Sequence, residues 1–327
     1  MSYVRHVEQF HGLPAFTYSP YIEPGDLPDP GSVAWRLRCP EEPYESDYAG
    51  RVEEYWARFV ASVELERVRA LIFGAPWWGP GGGLPDEALF AVGPRLTALE
   101  ALFLSDLEDD EAMISTIFLG DLAPYLEAFP ALRELAVRGG EGLRFPAAGH
   151  GALRALRVES GGLPPEAARQ IAAAELPSLE RLELWLGDEE YGGGTTPGDL
   201  APLLRGEGKP ALRHLGIQNS PDQDAFAAAL AAAPVVARLD SLSLSMGALT
   251  DTGAAALLDG RPLAHLRELD LSHHFLSHAM MVRLWTELEP AGVRVELGAR
   301  REPEEYGEGE DVPEWDDEPG RYIAVAE

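Results

Sequence analysis

One segment of this chain repeats, and the repeat strongly limits the folds that the chain can adopt. The sequence from Leu239 returns 27 residues later at Leu266, with leucine at positions 1, 4, 6 and 11 of both copies. Positions 4 and 6 alternate as in a short strand, and Thr250 or Ser277 then precedes residues with helical spacing. Each unit is therefore predicted to be a strand, a turn and a helix. Such a unit cannot bury its apolar face alone, so the units must stack.

The same spacing continues towards the N-terminus. Six further units have apolar residues at positions 1, 4 and 6, and they start at Val68, Leu99, Leu132, Leu153, Leu179 and Leu212. The starts are separated by 21 to 33 residues, so the variation falls between the strands. In the segments between the strands, residues 164–176 and 221–234 are predicted to be helices. The shortest interval, between the units that start at Leu132 and Leu153, has room only for an irregular turn. A final strand is predicted at 293–297.

The repeat pattern resembles that of leucine-rich repeat proteins. The segment LTDTGAAALL at 249–258 looks like the helix-containing, ribonuclease-inhibitor-like class, and the composition is similar to an uncharacterised bacterial, actinobacterial-looking family of such proteins. The resemblance covers roughly two-thirds of the chain and implies an α/β solenoid with a concave parallel sheet and convex helices and irregular turns. Position 9 departs from the usual Asn or Cys, for example at Gly247 and His274. We therefore expect the side-chain ladder of such turns to be largely missing.

The residues outside the repeats form two ends. Residues 1–65 are predicted to be an N-terminal α+β cap, with an end strand at 33–38 followed by an aromatic-rich helix, and residues 66–300 are the solenoid. Residues 301–320 hold ten acidic residues and one arginine, which predicts a solvated linker. The last residues, 321–327, are expected to return as a strand to the open C-terminal edge of the sheet.

Charge and composition exclude several classes of function. Lys and Arg total 26 against 55 Asp and Glu, and the net charge of −29 repels phosphate backbones and anionic membranes. We therefore expect neither nucleic acid nor membrane as a partner, and a basic protein is favoured over an acidic one. The single cysteine, Cys39, allows no intrachain disulfide, and no signal peptide or membrane-length apolar run is evident. These features favour the cytoplasm, but they do not fix an oligomeric state.

Two segments resemble ligand-binding motifs only superficially. The glycine-rich residues 79–85 lack the Gly-Lys-Ser/Thr of a phosphate loop, so a turn is favoured. The acidic residues in 302–318 lack the spacing of a calcium loop, so a solvated tail is favoured. Trp77 and Trp78 follow the first repeat strand, and we interpret them as packing against the cap rather than as an anchor for a partner.

A histidine-rich last repeat provides the alternative to a binding function. His265, His273, His274 and His278 would have to converge to hold a metal ion, but their register positions direct them apart. We therefore predict no catalytic residue, metal or cofactor. The alternative is an enzyme or metal-dependent subunit that uses these histidines with the nearby acids Glu268 and Asp270.

The favoured function is a non-catalytic protein-binding scaffold, by analogy with other solenoids. Positions 3, 5 and 7 of each unit point away from the core, and stacked parallel strands bring equal positions side by side. Large and charged residues gather there on units two to five, and we predict that they bind the partner: Phe103, Arg138, Arg157, Arg181, Glu183, Trp185 and Gln218.

Two readings of this surface remain open. Trp185 is expected to be exposed, so that Trp185→Ala should weaken partner binding by about 2 kcal/mol. Arg138 with Glu159, and Arg157 with Glu183, are neighbours in one row, so these charges can instead neutralise each other without any partner.

Overall fold

The structure is a computed structural model that describes residues 3–38, 48–75, 86–146, 148–303 and 320–326. Trp77, Trp78, residues 79–85 and most of the acidic segment lie outside these ranges. The described residues form one sheet of twelve strands, in which each strand neighbours the next in sequence. The strands are β1 (Gln9–Phe10), β2 (Leu13–Thr17), β3 (Ala34–Leu37), β4 (Ala70–Phe73), β5 (Ala101–Leu104), β6 (Glu134–Arg138), β7 (Ala155–Glu159), β8 (Arg181–Trp185), β9 (His214–Gln218), β10 (Ser241–Ser243), β11 (Glu268–Asp270) and β12 (Arg294–Glu296).

Helices and irregular segments connect the strands, as in a solenoid-like α/β fold. The pair β1–β2 is antiparallel, and the other pairs are parallel. The α-helices of the described residues are α1 (Tyr48–Ser62), α2 (Asp86–Val92), α3 (Ala123–Ala128), α4 (Pro165–Ala173), α5 (Ala201–Arg205), α6 (Gln223–Ala232), α7 (Asp251–Asp259) and α8 (His278–Leu288). Among these residues, none of the helices is long and apolar enough to cross a membrane.

The register predicted from the repeat is confirmed. Leu242 of β10 lies opposite Leu269 of β11, and Ser243 lies opposite Asp270, so equal positions of the two copies are neighbours. The same alignment holds from β4 to β11. Positions 4 and 6 point towards the helices and form the main core. Positions 3, 5 and 7 lie on the opposite side, which we call the inner face and which corresponds to the predicted concave side.

Local sequence signals explain where the last helices begin. The hydroxyl of Thr250 accepts a hydrogen bond from the amide of Thr252 at the start of α7, and Ser277 accepts one from Met280 in α8. These bonds satisfy amides that have no partner within the helix. Both predicted capping residues are thereby confirmed.

The turns after the strands are bonded by several kinds of side chain rather than by an Asn or Cys ladder. His274 Nδ1 accepts a hydrogen bond from the Leu276 amide at 3.0 Å, and its Nε2 lies 3.2 Å from the Leu297 carbonyl. Ser160 accepts a bond from the Gly162 amide in another turn. Ser160 and His274, and not a ladder of Asn or Cys, satisfy main-chain groups of these two turns.

The N-terminal region continues the sheet beyond the strand predicted to end it. Residues 34–37 pair with β4 on one side and with β2 on the other, so the assignment of 33–38 as an end strand is wrong. Trp35 packs its ring 5.7 Å from Phe59 of α1 and 5.5 Å from Phe16 of β2. The first strands and α1 therefore share one core with the strands that follow.

Lys209, the only lysine in the chain, has a structural role. It is fully buried, and its ammonium group donates hydrogen bonds of 2.9 Å to the carbonyls of Ala172 and Ala174 at the end of α4. Burial lowers the pKa of Lys209 to about 8. A cation in this position satisfies carbonyls that the helix leaves unpaired.

Candidate functional site

The chain's own N-terminus lies across the inner face. Residues 3–10, here called the N-terminal arm, run from the end of β11, where the Tyr3 ring meets His273 edge-on at 6.2 Å, towards β5. At β5 the ring of Phe10 packs 5.7 Å from the ring of Phe103. The arm thus covers a large part of the surface that was predicted to bind a partner.

Side chains of the sheet and of the turn after β5 bond the main chain of the arm. Two carboxylates accept hydrogen bonds from arm amides, and two guanidinium groups donate to arm carbonyls. The bonds join His6 N to Glu108 Oε1 (3.0 Å), Val7 N to Asp106 Oδ1 (3.2 Å), Arg138 Nη2 to Arg5 O (3.1 Å) and Arg36 Nη2 to Val7 O. The inner face therefore holds the arm as a binding groove holds an extended peptide.

An ionic contact adds to these main-chain bonds. The two ring nitrogens of His6 lie 3.3 Å from Asp106 and 3.2 Å from Glu111. Hydrogen bonding to Asp106 and then to Glu111 raises the pKa of His6 to about 9, against the opposing effect of burial. His6 is therefore an imidazolium at neutral pH. Asp106 itself is fully buried and is also held by Arg36 at 2.9 Å.

Phe103 and Arg138 form the floor beneath the arm. Both are buried, and the guanidinium of Arg138 lies 5.4 Å from the centre of the Phe103 ring, as does that of Arg157. Arg138 also makes a 2.6 Å ion pair with Glu159, which confirms the predicted pairing in this row. Arg157 pairs with Glu159 at 3.2 Å, so its predicted direct pairing with Glu183 is wrong.

Trp185 is not exposed, contrary to expectation. Only 8% of its surface is accessible, and it packs in an apolar cluster with Val4 of the arm, Met246 and Val325. The expected exposure of Trp185 is therefore wrong, because Val4 and Val325, from the two ends of the chain, pack in one cluster with it. Phe103 is buried beneath Phe10 of the arm. The role of both residues in partner binding stays a prediction.

Gln218 is also buried, within a polar row. Its side-chain amide nitrogen donates to the hydroxyls of Ser243 and Ser245, at 2.8 and 3.0 Å. Ser243 in turn donates to Asp270. Hydrogen bonds thus connect the polar side chains of neighbouring strands on the inner face, although the buried Oε1 of Gln218 has no hydrogen-bond partner among the described residues.

The C-terminus docks beside the arm. Residues 320–326, here called the C-terminal tail, bond the turns that follow β9, β10 and β11. The side chain of Asn219 exchanges two hydrogen bonds, of 2.5 and 3.0 Å, with the main chain of Val325, and the Ala324 amide donates to the Met246 carbonyl. The expectation that 321–327 would extend the sheet at its C-terminal edge is wrong, since the tail lies across strand ends.

A polar part of the inner face stays open beside the arm. Arg181 has half of its side chain exposed and donates a 2.6 Å bond to Glu183. Burial alone would raise the pKa of Glu183, but the hydrogen bond with His214 and the charges of Arg181 and Arg157 lower it to about 2. A cavity of about 150 Å³ lies between these residues and the arm, lined in part by His11, Glu134, Arg157, Arg181 and Glu183.

The histidines of the last repeat are used within the fold. His273 Nε2 lies 3.1 Å from the Tyr322 carbonyl of the tail, and burial lowers the pKa of this ring. His274 bonds the turn described above, and His265 Nε2 lies 2.9 Å from the Val236 carbonyl. His278 begins α8, as its register predicted. Across the described ranges, no cluster of three or more His, Cys, Asp or Glu side chains is arranged to hold a metal ion.

Sequence reasoning missed the arm, although one local signal points to it. His11 and Gly12 separate the apolar residues Phe10 and Leu13, and both have positive φ, of 54° and 68°. A two-residue turn of this kind joins the strands of a tight hairpin. The pair Phe10–Leu13 is a register pair of β1 and β2, so the turn sends residues 3–10 back from β2.

Comparison with known proteins gives a fold-level relation. No protein-family profile matches the chain, and no curated protein matches it. A crystal structure of a protein from Bacteroides fragilis, solved as a structural genomics target, is similar with a TM-score of 0.71 and 26% sequence identity. The match covers 80% of this chain and 75% of that chain. The similarity concerns architecture.

Proposed function

We propose that this protein is a non-catalytic scaffold of the leucine-rich repeat kind, which binds an extended segment of another protein along its inner face. One observation carries the proposal, namely the set of hydrogen bonds between the sheet and the main chain of residues 5–7. Main-chain bonds of this kind give affinity for an extended polypeptide, and neighbouring pockets add specificity. The surface therefore has the chemistry of a polypeptide-binding groove.

The arm occupies these bonding groups in the structure, and the partner is proposed to meet the open part of the inner face beside the arm as well. Arg181 and Arg294 project there with side chains that are more than half exposed. Glu268 and Asp270 lie between them on β11, so positive and negative groups are both offered to a bound segment. Such a surface favours a partner that forms ion pairs and hydrogen bonds over one that buries a large apolar patch.

The net charge sets a preference among partners. A charge of −29 favours a basic protein and should accelerate its approach at low ionic strength. Deletion of 301–320 is then expected to slow association and to leave dissociation nearly unchanged. The segment LTDTGAAALL at 249–258 supports the proposal of the ribonuclease-inhibitor-like class, and the residue composition, with its single cysteine, supports that of a bacterial, cytoplasmic protein.

A charge-reversal pair tests the proposed surface. The protein would be used to capture its partner from the organism of origin, and the affinity of that partner would then be measured for Arg181→Glu. We expect at least about tenfold weaker binding, because the change places a second carboxylate beside Glu183 in the contact.

Arg267→Glu is the matched control. Arg267 is an exposed arginine directly before β11, with 82% of its side chain accessible, and it lies 4.0 Å from Asp240. Its reversal changes the net charge by the same amount, so it should leave affinity close to that of the wild type. Equal effects of the two variants, or none from Arg181→Glu, would contradict the proposed surface.

A further inference from the structure

We propose that the seat of the N-terminal arm is itself a regulated binding site, on which a segment of a partner protein replaces the arm. The partner segment would carry the arm's pattern, with a cationic side chain over Asp106 and Glu111 and an aromatic ring four residues later on Phe103. The inference rests on the proposed function and specifies the site and the chemistry of the segment that it takes.

The seat has its own internal support beneath the arm. Arg138 is held by Glu159 and by the Leu107 carbonyl, and Asp106 is held by Arg36. These contacts join residues of the sheet and its turns, so they persist when the arm leaves. Buried charges that are already paired keep a site in its binding geometry.

The arm contacts the sheet on one side and has exposed side chains on the other. Val4 and Phe10 are its two deeply buried side chains, each 3% exposed, and the side chains of Arg5, Glu8 and Gln9 face solvent. Strand pairing joins the arm to β2 through Gln9 and Phe10. A terminal segment that packs on one side only opens at a smaller free energy than the core of the sheet. The arm is therefore suited to exchange with a competing segment.

Three contacts define what a competitor must present. Asp106 and Glu111 flank the imidazolium of His6, and a guanidinium or ammonium group would meet the same two carboxylates. The Phe103 ring lies between two guanidinium groups and would pack against an aromatic ring of the competitor, as it packs against Phe10 in the structure. The apolar cluster around Trp185 would pack against a small apolar side chain, two residues before the cationic residue of the competitor, as it packs against Val4 in the structure.

The proposed occupant is a separate protein and not a second copy of this chain. Exchange of identical arms between two copies would recreate the same contacts without adding any at the seat. A net charge of −29 on each copy also opposes their close approach. A basic partner segment gains from the same field, which favours its encounter with the seat.

Binding of a labelled peptide tests the inference. The probe is a synthetic peptide of residues 1–12 with a fluorophore at its C-terminus, and its anisotropy is measured with a variant that lacks residues 1–10. We expect saturable binding to this variant and at least about tenfold weaker binding to the full chain, because a tethered arm competes at roughly millimolar effective concentration. Peptides that carry His6→Glu or Phe10→Ala, and a scrambled peptide, should not bind.

A second variant keeps the test valid if the truncated chain does not fold. Full-length His6→Glu places a third carboxylate between Asp106 and Glu111, so it should loosen the arm and bind the wild-type peptide more tightly than the wild-type protein does. Arg5→Glu is the control, since the Arg5 side chain is exposed and only its carbonyl is bonded to Arg138. Circular dichroism would show that both variants keep their secondary structure.

The outcomes separate this inference from the proposed function. If neither the folded truncated variant nor His6→Glu binds the peptide, the seat is not an exchange site and the inference is overturned. Dimers that form in sedimentation experiments as the full chain is concentrated, and that are lost in His6→Glu, would make a second copy the occupant and would also overturn it. Either result leaves the Arg181→Glu test of the scaffold unaffected.

Discussion

The inner face differs between its two ends although the backbone register is continuous. Position 3 of the early strands is alanine, and these alanines pack with Phe10 of the arm in one apolar cluster. In the later strands the same row is polar or charged. The row reads Ala34, Ala70, Ala101, Glu134, Ala155, Arg181, His214, Ser241 and Glu268 from β3 to β11.

The difference shows that side chains, and not strand geometry, decide whether another segment of the chain packs on a given part of the sheet. Small apolar residues let the Phe10 ring approach the early strands and exclude water there. The later strands carry groups that bond each other, as His214 does with Ser241 at 2.7 Å. These polar residues present little apolar surface, so the later strands gain less than the early strands from being covered by an apolar ring.

The largest difference in unfolding free energy is expected between substitutions of a buried and of an exposed arginine on the inner face. Arg138→Ala removes the closer of the two arginines that pair with buried Glu159 and leaves only Arg157, at 3.2 Å, and it is expected to cost about 3–5 kcal/mol, as for other broken buried ion pairs. Arg181→Ala lies in the open half and should cost less than about 1 kcal/mol. Urea unfolding of both variants measures the two effects. Equal losses would show that the two halves are not distinct.

Trp185 joins both termini to the sheet, so its loss should affect both. Trp185→Ala is expected to lower the free energy of unfolding by about 3 kcal/mol, and to expose residues 3–10 and 320–326 to proteases. Trp285→Ala on the exposed side of α8 is the control, at under about 1 kcal/mol. Protection of both termini in Trp185→Ala would argue against their shared anchor.

The tail should be released alone when its amide contact is removed. Asn219→Ala loses both hydrogen bonds to Val325 and also places alanine at a φ of 57°, which we expect to cost about 2 kcal/mol. Asn219→Gly keeps that backbone conformation and isolates the loss of the bonds. Hydrogen exchange should show faster exchange at 321–326 and an unchanged arm; coupled release of the arm would mean that the two termini dock as one unit.

The smallest expected effect is a pH dependence of opposite sign at the two termini. The pKa of His6 is raised to about 9 from 6.5, so its contribution to arm docking is complete below pH 6.5 and is lost as the pH rises through 9. Asp106 and Glu111 face this ring. Glu108 accepts a hydrogen bond from the main-chain amide of His6. Arg36 forms an ion pair with Asp106, and Arg38 forms one with Glu111.

The tail should respond in the other direction. Burial lowers the pKa of His273, whose ring meets the Tyr322 carbonyl and Arg301, so its contribution is present above pH 6.5 and declines as the pH falls. Hydrogen exchange at 3–10 and 321–326, corrected for intrinsic rates, should show the arm loosening at high pH and the tail at low pH. The same trend at both termini would contradict these assignments.

The repeat predicted the fold well because its signal is local. Strand register, the helices α4, α6, α7 and α8 and the caps of α7 and α8 follow from spacing within about thirty residues, the length of one strand–helix unit. The prediction for the inner face was correct about position and incorrect about exposure. Register alone places Phe103 and Trp185 on that face, but it does not state what lies above them.

The sequence by itself determined which residues share a strand position, which side of each strand meets the helices, and how strongly the chain is charged. Only the tertiary structure decided that the arm and the tail cover the inner face and leave Arg181 open. The reason is the distance along the chain: His6 meets Glu108 across 102 residues, and Asn219 meets Val325 across 106. Such contacts have no periodic signature, and they form when folding brings both ends to the same row of strand ends.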